Sequence, residues 1–207
     1  MDDLNQSEEL TEQMEASSKQ TRELPRIPDI NEQKKEAAFQ AGQEKVREMI
    51  AANAPLGEIL TSLVLIEAQS PEMLCSVLLL SDDGNHIRHG AAPGLPEEYV
   101  KAIDGAPIGP KNGSCGTAMY RGEPVIVTDV FSDPLWEDYR DLAAGAGLRA
   151  CWSTPIMSRR GKVLGSFAMY YRQPQAPTGA EARLTKIATN IAGQAIEQQA
   201  AQKRIDA

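Results

Sequence analysis

The feature that most limits what this chain can fold into is a double change of hydrophobic period. Apolar residues recur at helical spacings between residues 32 and 67, then come in short strand-length runs from 75 to 171. The helical spacing returns after residue 178. In the first stretch, Glu32–Ala52 is expected to be a charged helix with Phe39, Val46, Met49 and Ile50 loosely on one face, interrupted by Pro55. A second helix follows, with Leu56, Ile59, Leu60, Leu63, Val64 and Glu67 at spacings of three and four. At the far end, Thr178 and Glu181 form a capping box. Behind it, Leu184, Ile187, Ala188, Ile191, Ala195 and Ile196 share one helical face.

The middle of the chain reads as strands and turns. Cys75–Leu80 and His86–Ala92 flank the turn signal Asp82-Asp83-Gly84-Asn85, which predicts a hairpin. Pro96 opens a short helix over Glu97–Ile103. A loop rich in Gly and Pro runs from Gly105 to Gly113, followed by helical turns at Cys115–Tyr120 and a strand at Val125–Val130. Asp133-Pro134 starts another helix, which carries Trp136, Tyr139 and Leu142 and ends at Gly145 or Gly147. Two more strands, Arg149–Met157 and Lys162–Tyr171, are joined by a turn at Ser158–Gly161.

This order predicts an α+β fold: a central, mainly antiparallel sheet with the terminal helices on one face. The loops Gly90–Gly113 and Phe131–Gly147 are left to roof the other face over a concave pocket. The expected divisions are an acidic disordered segment at 1–30, an N-terminal helix at 31–53, the domain at 54–198 and a polar helical tail at 199–207.

Charge and composition exclude several classes of function. The net charge is −8, from 29 acidic and 21 basic residues, which repels nucleic acid and anionic membranes alike. The longest basic cluster, Arg159-Arg160 with Lys162, brackets Gly161 and reads as a solvated hairpin turn. The N-terminus lacks a signal-peptide pattern, and no apolar run reaches the ~18 residues that span a bilayer. Cys75, Cys115 and Cys151 are odd in number and far apart, with no CxxC pairing. They argue against a disulfide framework and against zinc, and a cytoplasmic location is expected. His86 and His89, three apart on an expected strand, point to opposite faces and cannot share a metal.

From about Ala54 to Gln198 the chain resembles GAF domains, the small-molecule and chromophore sensors of signalling proteins. The likeness rests on segments in a fixed order. These are Val77–Pro93, Gly113-Ser-Cys-Gly-Thr-Ala118 with Arg121–Val130, Asp133-Pro-Leu-Trp136 with Leu148–Ile156, and Gly161–Tyr170. The subtype is similar to GAF modules found beside PAS, histidine-kinase and cyclic-di-GMP domains. The resemblance implies a sensor that binds a small molecule and passes a conformational change through its terminal helices to a signalling partner of those classes. It also implies a homodimer in which those helices pair. No kinase or synthase domain follows in this sequence, so the output is expected to reach a partner.

The candidate ligand-binding residues are Cys115, Trp136, Tyr139, Trp152, Thr154 and His89. Cys115 stands between small residues at the start of a helical turn, where the helix dipole favours a thiolate. Free methionine-R-sulfoxide reductases, which share the fold, carry a cysteine in a similar Gly-x-Cys-Gly-Thr segment. They use a further cysteine after the next strand, and Asp129–Asp141 has none here. A sensor is therefore expected rather than an enzyme, with a Cys115-centred redox enzyme or switch as the alternative and a ligand-free dimerisation module as a third. No Cys-His pair is present, so no covalent bilin is expected, and the identity of the cofactor or ligand stays open. Strand alternation pairs Trp152 with Thr154 on one face and Cys151 with Ser153 on the other, without saying which face lines the pocket.

Overall fold

The computed structural model describes residues 30–68 and 72–205, without the side chains of residues 31 and 32. The expected disordered segment at 1–30 therefore lies, apart from Ile30, outside the described residues. The chain forms two units, residues 1–37 and 38–207. Of the first, the described part is the opening turns of helix α1 (Ile30–Ala51). The second unit continues α1 and then runs α2 (Leu56–Glu67), β1 (Leu74–Leu80), β2 (Ile87–Ala91), α3 (Glu97–Ile103), α4 (Gly113–Arg121) and β3 (Val125–Val127). A 3-10 helix (Pro134–Tyr139), α5 (Arg140–Gly145), β4 (Ala150–Met157), β5 (Val163–Tyr171) and α6 (Gly179–Ile205) complete it.

The five strands form one antiparallel sheet in the order β2-β1-β5-β4-β3. Alternation along the central strands divides the core into two layers. Phe167, Met169 and Tyr171 of β5, with Trp152 and Ile156 of β4, face a layer made by α1, α2 and α6. Ala168 and Tyr170, with Cys151 and Leu78, face the opposite layer, made by α3, α4, the 3-10 helix and α5. The two central strands are thus buried on both sides, which is why they read as continuous apolar runs.

Local chemistry accounts for the element ends. The Thr178 N–H donates to Glu181 Oε2 (2.6 Å), closing the reciprocal half of the expected capping box. Helix α6 then runs unbroken through the expected tail boundary to Ile205. Gly122, left-handed at φ 69°, ends α4 and turns the chain into β3. The free edge of β2 is covered by the loop after α3: Ile87 N–H donates to Ala106 O (2.8 Å) and Gly105 N–H to Ile87 O (2.8 Å).

Three expectations change. His86 lies outside β2 in an isolated bridge to Pro107, because its ring Nδ1 is held 2.8 Å from Asp83 Oδ2 in the hairpin turn. The expected strand Val125–Val130 stops at Val127. Beyond it, Asp129 bonds the Phe131 N–H and the Arg149 guanidinium instead of a neighbouring strand. The Asp133–Gly145 helix divides into a 3-10 turn and an α-helical turn. Asp133 Oδ1 accepts from the Leu135 N–H (2.8 Å), and Pro134 sits at the first helical position.

A buried carboxyl lies in the helical layer. Glu67 is fully buried; its Oε1 accepts from Gln43 Nε2 of α1 (3.2 Å), while Oε2 has no partner among the described residues. Burial pushes its carboxyl up to about 7, against the smaller opposing effect of the Gln43 bond. A carboxyl raised in the folded state stabilises most below its unfolded value, and that contribution is lost as pH rises through about 7. Glu67→Gln is therefore expected to stabilise the protein by ~2 kcal/mol at about pH 8 and by nothing measurable at about pH 4. Denaturant titration of both proteins at the two pH values checks this.

Candidate functional site

The layer opposite the terminal helices encloses a cavity of about 30 Å³. Its floor is the sheet, through Leu78, Ile87 and Tyr170. One wall is the first turn of α4, including Ser114 and Cys115, and the other is α3 with Tyr99 and Ile103. Its roof is the 3-10 helix, with Trp136 and Tyr139. A single water occupies ~30 Å³ of liquid, whereas pockets for drug-sized ligands run from about 300 Å³ upward. At this size the cavity takes only a few atoms, and anything larger must lift the roof.

The roof is tied down by named polar bonds. Trp136 Nε1 donates to Ser114 Oγ (2.9 Å), and Ser114 Oγ donates to the carbonyl of Cys151 on β4 (3.0 Å). One buried hydroxyl thus bridges roof, α4 and sheet. Asn112 Nδ2 donates to the Tyr139 hydroxyl (3.2 Å), and at the surface Lys111 pairs with Glu137. The rings of Trp136 and Tyr139 meet edge to face at 6.5 Å, as do Tyr99 and Tyr170 at 6.1 Å. No Arg, Lys, Asp, Glu or His side chain lines the cavity.

Beneath α4 the sheet face carries small polar groups. Tyr170 OH lies 3.1 Å from Ser76 Oγ and 3.5 Å from Cys115 Sγ. The Cys151 thiol, then the Tyr170, Ser153 and Ser166 hydroxyls, hold the Cys115 thiol below the usual thiol range despite its burial. Burial pushes Cys151 the other way.

The structure gathers three of the six candidate residues: Cys115, Trp136 and Tyr139 line the cavity. Trp152 and Thr154 do not. They point to the helical face of β4 and line a groove of about 350 Å³ between β3 and α6, where Trp152 Nε1 donates to Gln175 O (3.2 Å). The physical reason is register: Cys151 and Ser153 take the cavity side of β4, so their neighbours take the other. His89 is exposed on the edge strand β2, its N–H bonded to Asp104 Oδ1, and lies outside the cavity. Sequence reasoning missed Tyr99, Asn112 and Ser114. Nothing local marks Tyr99 or Asn112, and Ser114 looked like a helix-start residue rather than a bridge.

A family model for the GAF domain matches residues 53–197. The chain belongs to the GAF domain family. Among curated proteins, this chain is 38% identical over 170 residues to the "Methyl sulfide methyltransferase-associated sensor" of Methanosarcina acetivorans. The match covers 82% of this chain and 17% of that protein, so the chain spans about a sixth of the length of that relative. Among solved structures it is similar to a domain of a two-component sensor histidine kinase protein from Sinorhizobium meliloti, with TM-score 0.58 and 24% identity. That match covers 74% of this chain and 99% of the other. A GAF domain of a phosphoenolpyruvate-protein phosphotransferase from Coxiella burnetii gives TM-score 0.62 at 16% identity, covering 81% and 98% of the two chains. Free methionine-R-sulfoxide reductase from Neisseria meningitidis gives 0.60 at 15% identity, covering 80% and 92%. These structural likenesses establish the fold. The further cysteine expected of the reductases is absent from Asp129–Asp141. Among the described residues no group of three or more His, Cys, Asp or Glu is placed to hold a metal ion, and no helix is long and apolar enough to cross a membrane.

Removing the Ser114 bridge leaves the Trp136 indole N–H buried without an acceptor. Ser114→Ala is expected to cost ~2 kcal/mol of stability. It should also change the Trp136 emission, which is read against a Trp152→Phe background so that one indole reports.

Proposed function

We propose that this GAF module senses a small uncharged molecule held between α4 and the Pro134–Tyr139 roof, and relays its presence through the sheet to α1 and α6. The observation that carries this reading is the lining of the cavity: four aromatic rings and several hydroxyl or thiol groups, with no ionisable cation or carboxylate. An ionised ligand entering so dry a site leaves its charge unpaired, at a cost of several kcal/mol. That argues against cyclic nucleotides and zwitterionic amino acids as the occupant. A neutral ring system with one hydrogen-bonding group matches both the aromatic walls and the Tyr170–Cys115–Ser114 polar side.

One peptide link and one hydrogen bond lead from the cavity to helix α6. Tyr170 faces the ligand side of β5, and its neighbour Tyr171 faces the helices and donates to Glu181 Oε1 (2.7 Å). Glu181 is also the capping residue of α6. A ligand that shifts Tyr170 therefore bears on the start of α6, and the relay is a change in how that helix is anchored. We assign α1 and α6 to pairing in a homodimer, and the output to a partner of the histidine-kinase or cyclic-di-GMP class. The sensor name of the Methanosarcina relative and the histidine-kinase setting of the Sinorhizobium structure support that partner class. The three cysteines are all free, which is consistent with a reducing, cytoplasmic compartment.

The test is native mass spectrometry of protein purified from its own host, followed by titration of the retained compound. A neutral compound is expected, with affinity lowered ~10-fold or more by Trp136→Ala. Tyr171→Phe is expected to leave affinity within about twofold and to abolish the ligand-dependent change in α6, read by a spin or fluorescent label on that helix. A retained anion, or a ligand that maps to the Trp152–Thr154 groove, contradicts the reading.

A further inference from the structure

Cys115 and Cys151 occupy one polar nest. Cys115 is the third residue of α4 and lines the cavity; Cys151 lies beneath it on β4. The Ser114–Cys151 carbonyl bond fixes α4 over β4 at this point, and Tyr170, the cross-strand partner of Cys151, has its hydroxyl 3.5 Å from the Cys115 sulfur. Two further groups face the same spot. The Ser153 and Ser166 hydroxyls are at least nine-tenths buried and, among the described residues, have no partner in good hydrogen-bond geometry; both lie near the Cys115 sulfur. A neutral thiol is a weak acceptor and gives such hydroxyls little. A thiolate, or an oxygen carried on that sulfur, is a strong acceptor and would satisfy both. Buried hydroxyls left open around a nucleophile mark a place where negative charge or an added oxygen is accommodated.

We propose that Cys115 and Cys151 are a hydroperoxide-responsive dithiol, with hydrogen peroxide as the oxidant. The Cys115 thiolate attacks one peroxide oxygen; the O–O bond breaks, the distal oxygen takes a proton and leaves as water, and Cys115 becomes a sulfenic acid. The Cys151 sulfur then attacks the Cys115 sulfur. The S–O bond breaks, the hydroxyl leaves with the Cys151 proton as a second water, and a Cys115–Cys151 disulfide remains. Two thiols are oxidised by two electrons, and one peroxide is reduced to two waters.

The cavity favours this oxidant. At about 30 Å³ it admits a molecule of two heavy atoms without movement of the roof. Cys75 provides the internal contrast. It is buried among the helices on the other face of the sheet, where burial and then the nearby Glu67 push its thiol far up, away from the thiolate. The disulfide would draw the first turn of α4 toward β4 and disturb the Trp136–Ser114–Cys151 bridge. Oxidation and ligand thus act on the same roof, and the dithiol needs no ligand in the cavity to respond.

The experiment is a non-reducing tryptic map after treatment of the reduced, full-length protein with hydrogen peroxide. Cleavage after Lys111, Arg121, Arg149 and Arg159 releases Asn112–Arg121 and Ala150–Arg159, each with one cysteine. The two peptides are expected to be joined, with Cys115 consumed ~10-fold or more faster than Cys75. In Cys151→Ser, Cys115 is expected to stop at a sulfenic acid that dimedone traps. Ser153→Ala with Ser166→Ala is expected to slow the first step and to move the pH profile of Cys115 alkylation upward. If the joined peptide is missing while Cys115 is oxidised further, or if Cys75 reacts as fast as Cys115, the proposal is overturned. The wild-type map decides this alone should a variant fail to fold.

Discussion

Everything in this domain depends on β4 and β5 being covered on both faces by layers of different character. The side that takes Phe167, Met169, Trp152 and Ile156 is filled by three long helices and is almost wholly apolar. The side that takes Tyr170, Ala168, Cys151, Ser153 and Ser166 is covered by short helices and turns, and hydroxyls and thiols mingle with its apolar groups. Long helices pack flat on the middle of a sheet and fill it. Short segments broken by Gly105, Gly113 and Gly147, all at positive φ, cannot do so, and the remaining gap is the cavity.

The roof is held by directional bonds as well as by buried area. Ser114 accepts from the Trp136 indole and donates to the β4 backbone, so roof, α4 and sheet share one hydroxyl. A net hydrogen bond is worth only about 1 kcal/mol, but leaving one of these buried groups unpaired costs more. Such a roof opens as a unit or stays shut. On the far side, the Tyr171–Glu181 bond ties β5, the strand of Tyr170, to the first turn of α6. A sensory module needs such a pair of features: a weakly held element over the binding space and a firm link from that space to the helix that carries the message away.

The architecture was legible in the sequence because it is written in periodicity. Three- and four-residue spacing marked α2 and α6, short apolar runs marked the strands, and Gly or Pro marked the loops. The site was legible only in part. Trp136, Tyr139 and Cys115, which line the cavity, stood out because aromatic residues in a roof loop and a cysteine at a helix start carry local signals. Trp152 and Thr154 were paired correctly with each other, but alternation fixes only which residues share a face, and the packing of α6 decides which face is which. His89 was drawn in by its chemistry, whereas its position on an edge strand leaves it in solvent. Tyr99 and Asn112 enter the site through contacts with residues distant in sequence, and no local pattern reports that.

The central claim is that the roof opens locally over an otherwise rigid domain. Amide hydrogen exchange of the unliganded protein tests it most directly. The account predicts that Pro134–Gly145 and the loop from Gly105 to Gly113 exchange through low-energy local openings, while β4, β5 and the α6 segment around Ala188–Ala195 exchange only on global unfolding. If the roof amides are as strongly protected as those of β4 and β5, the cavity does not open under native conditions, and the sensing account is wrong.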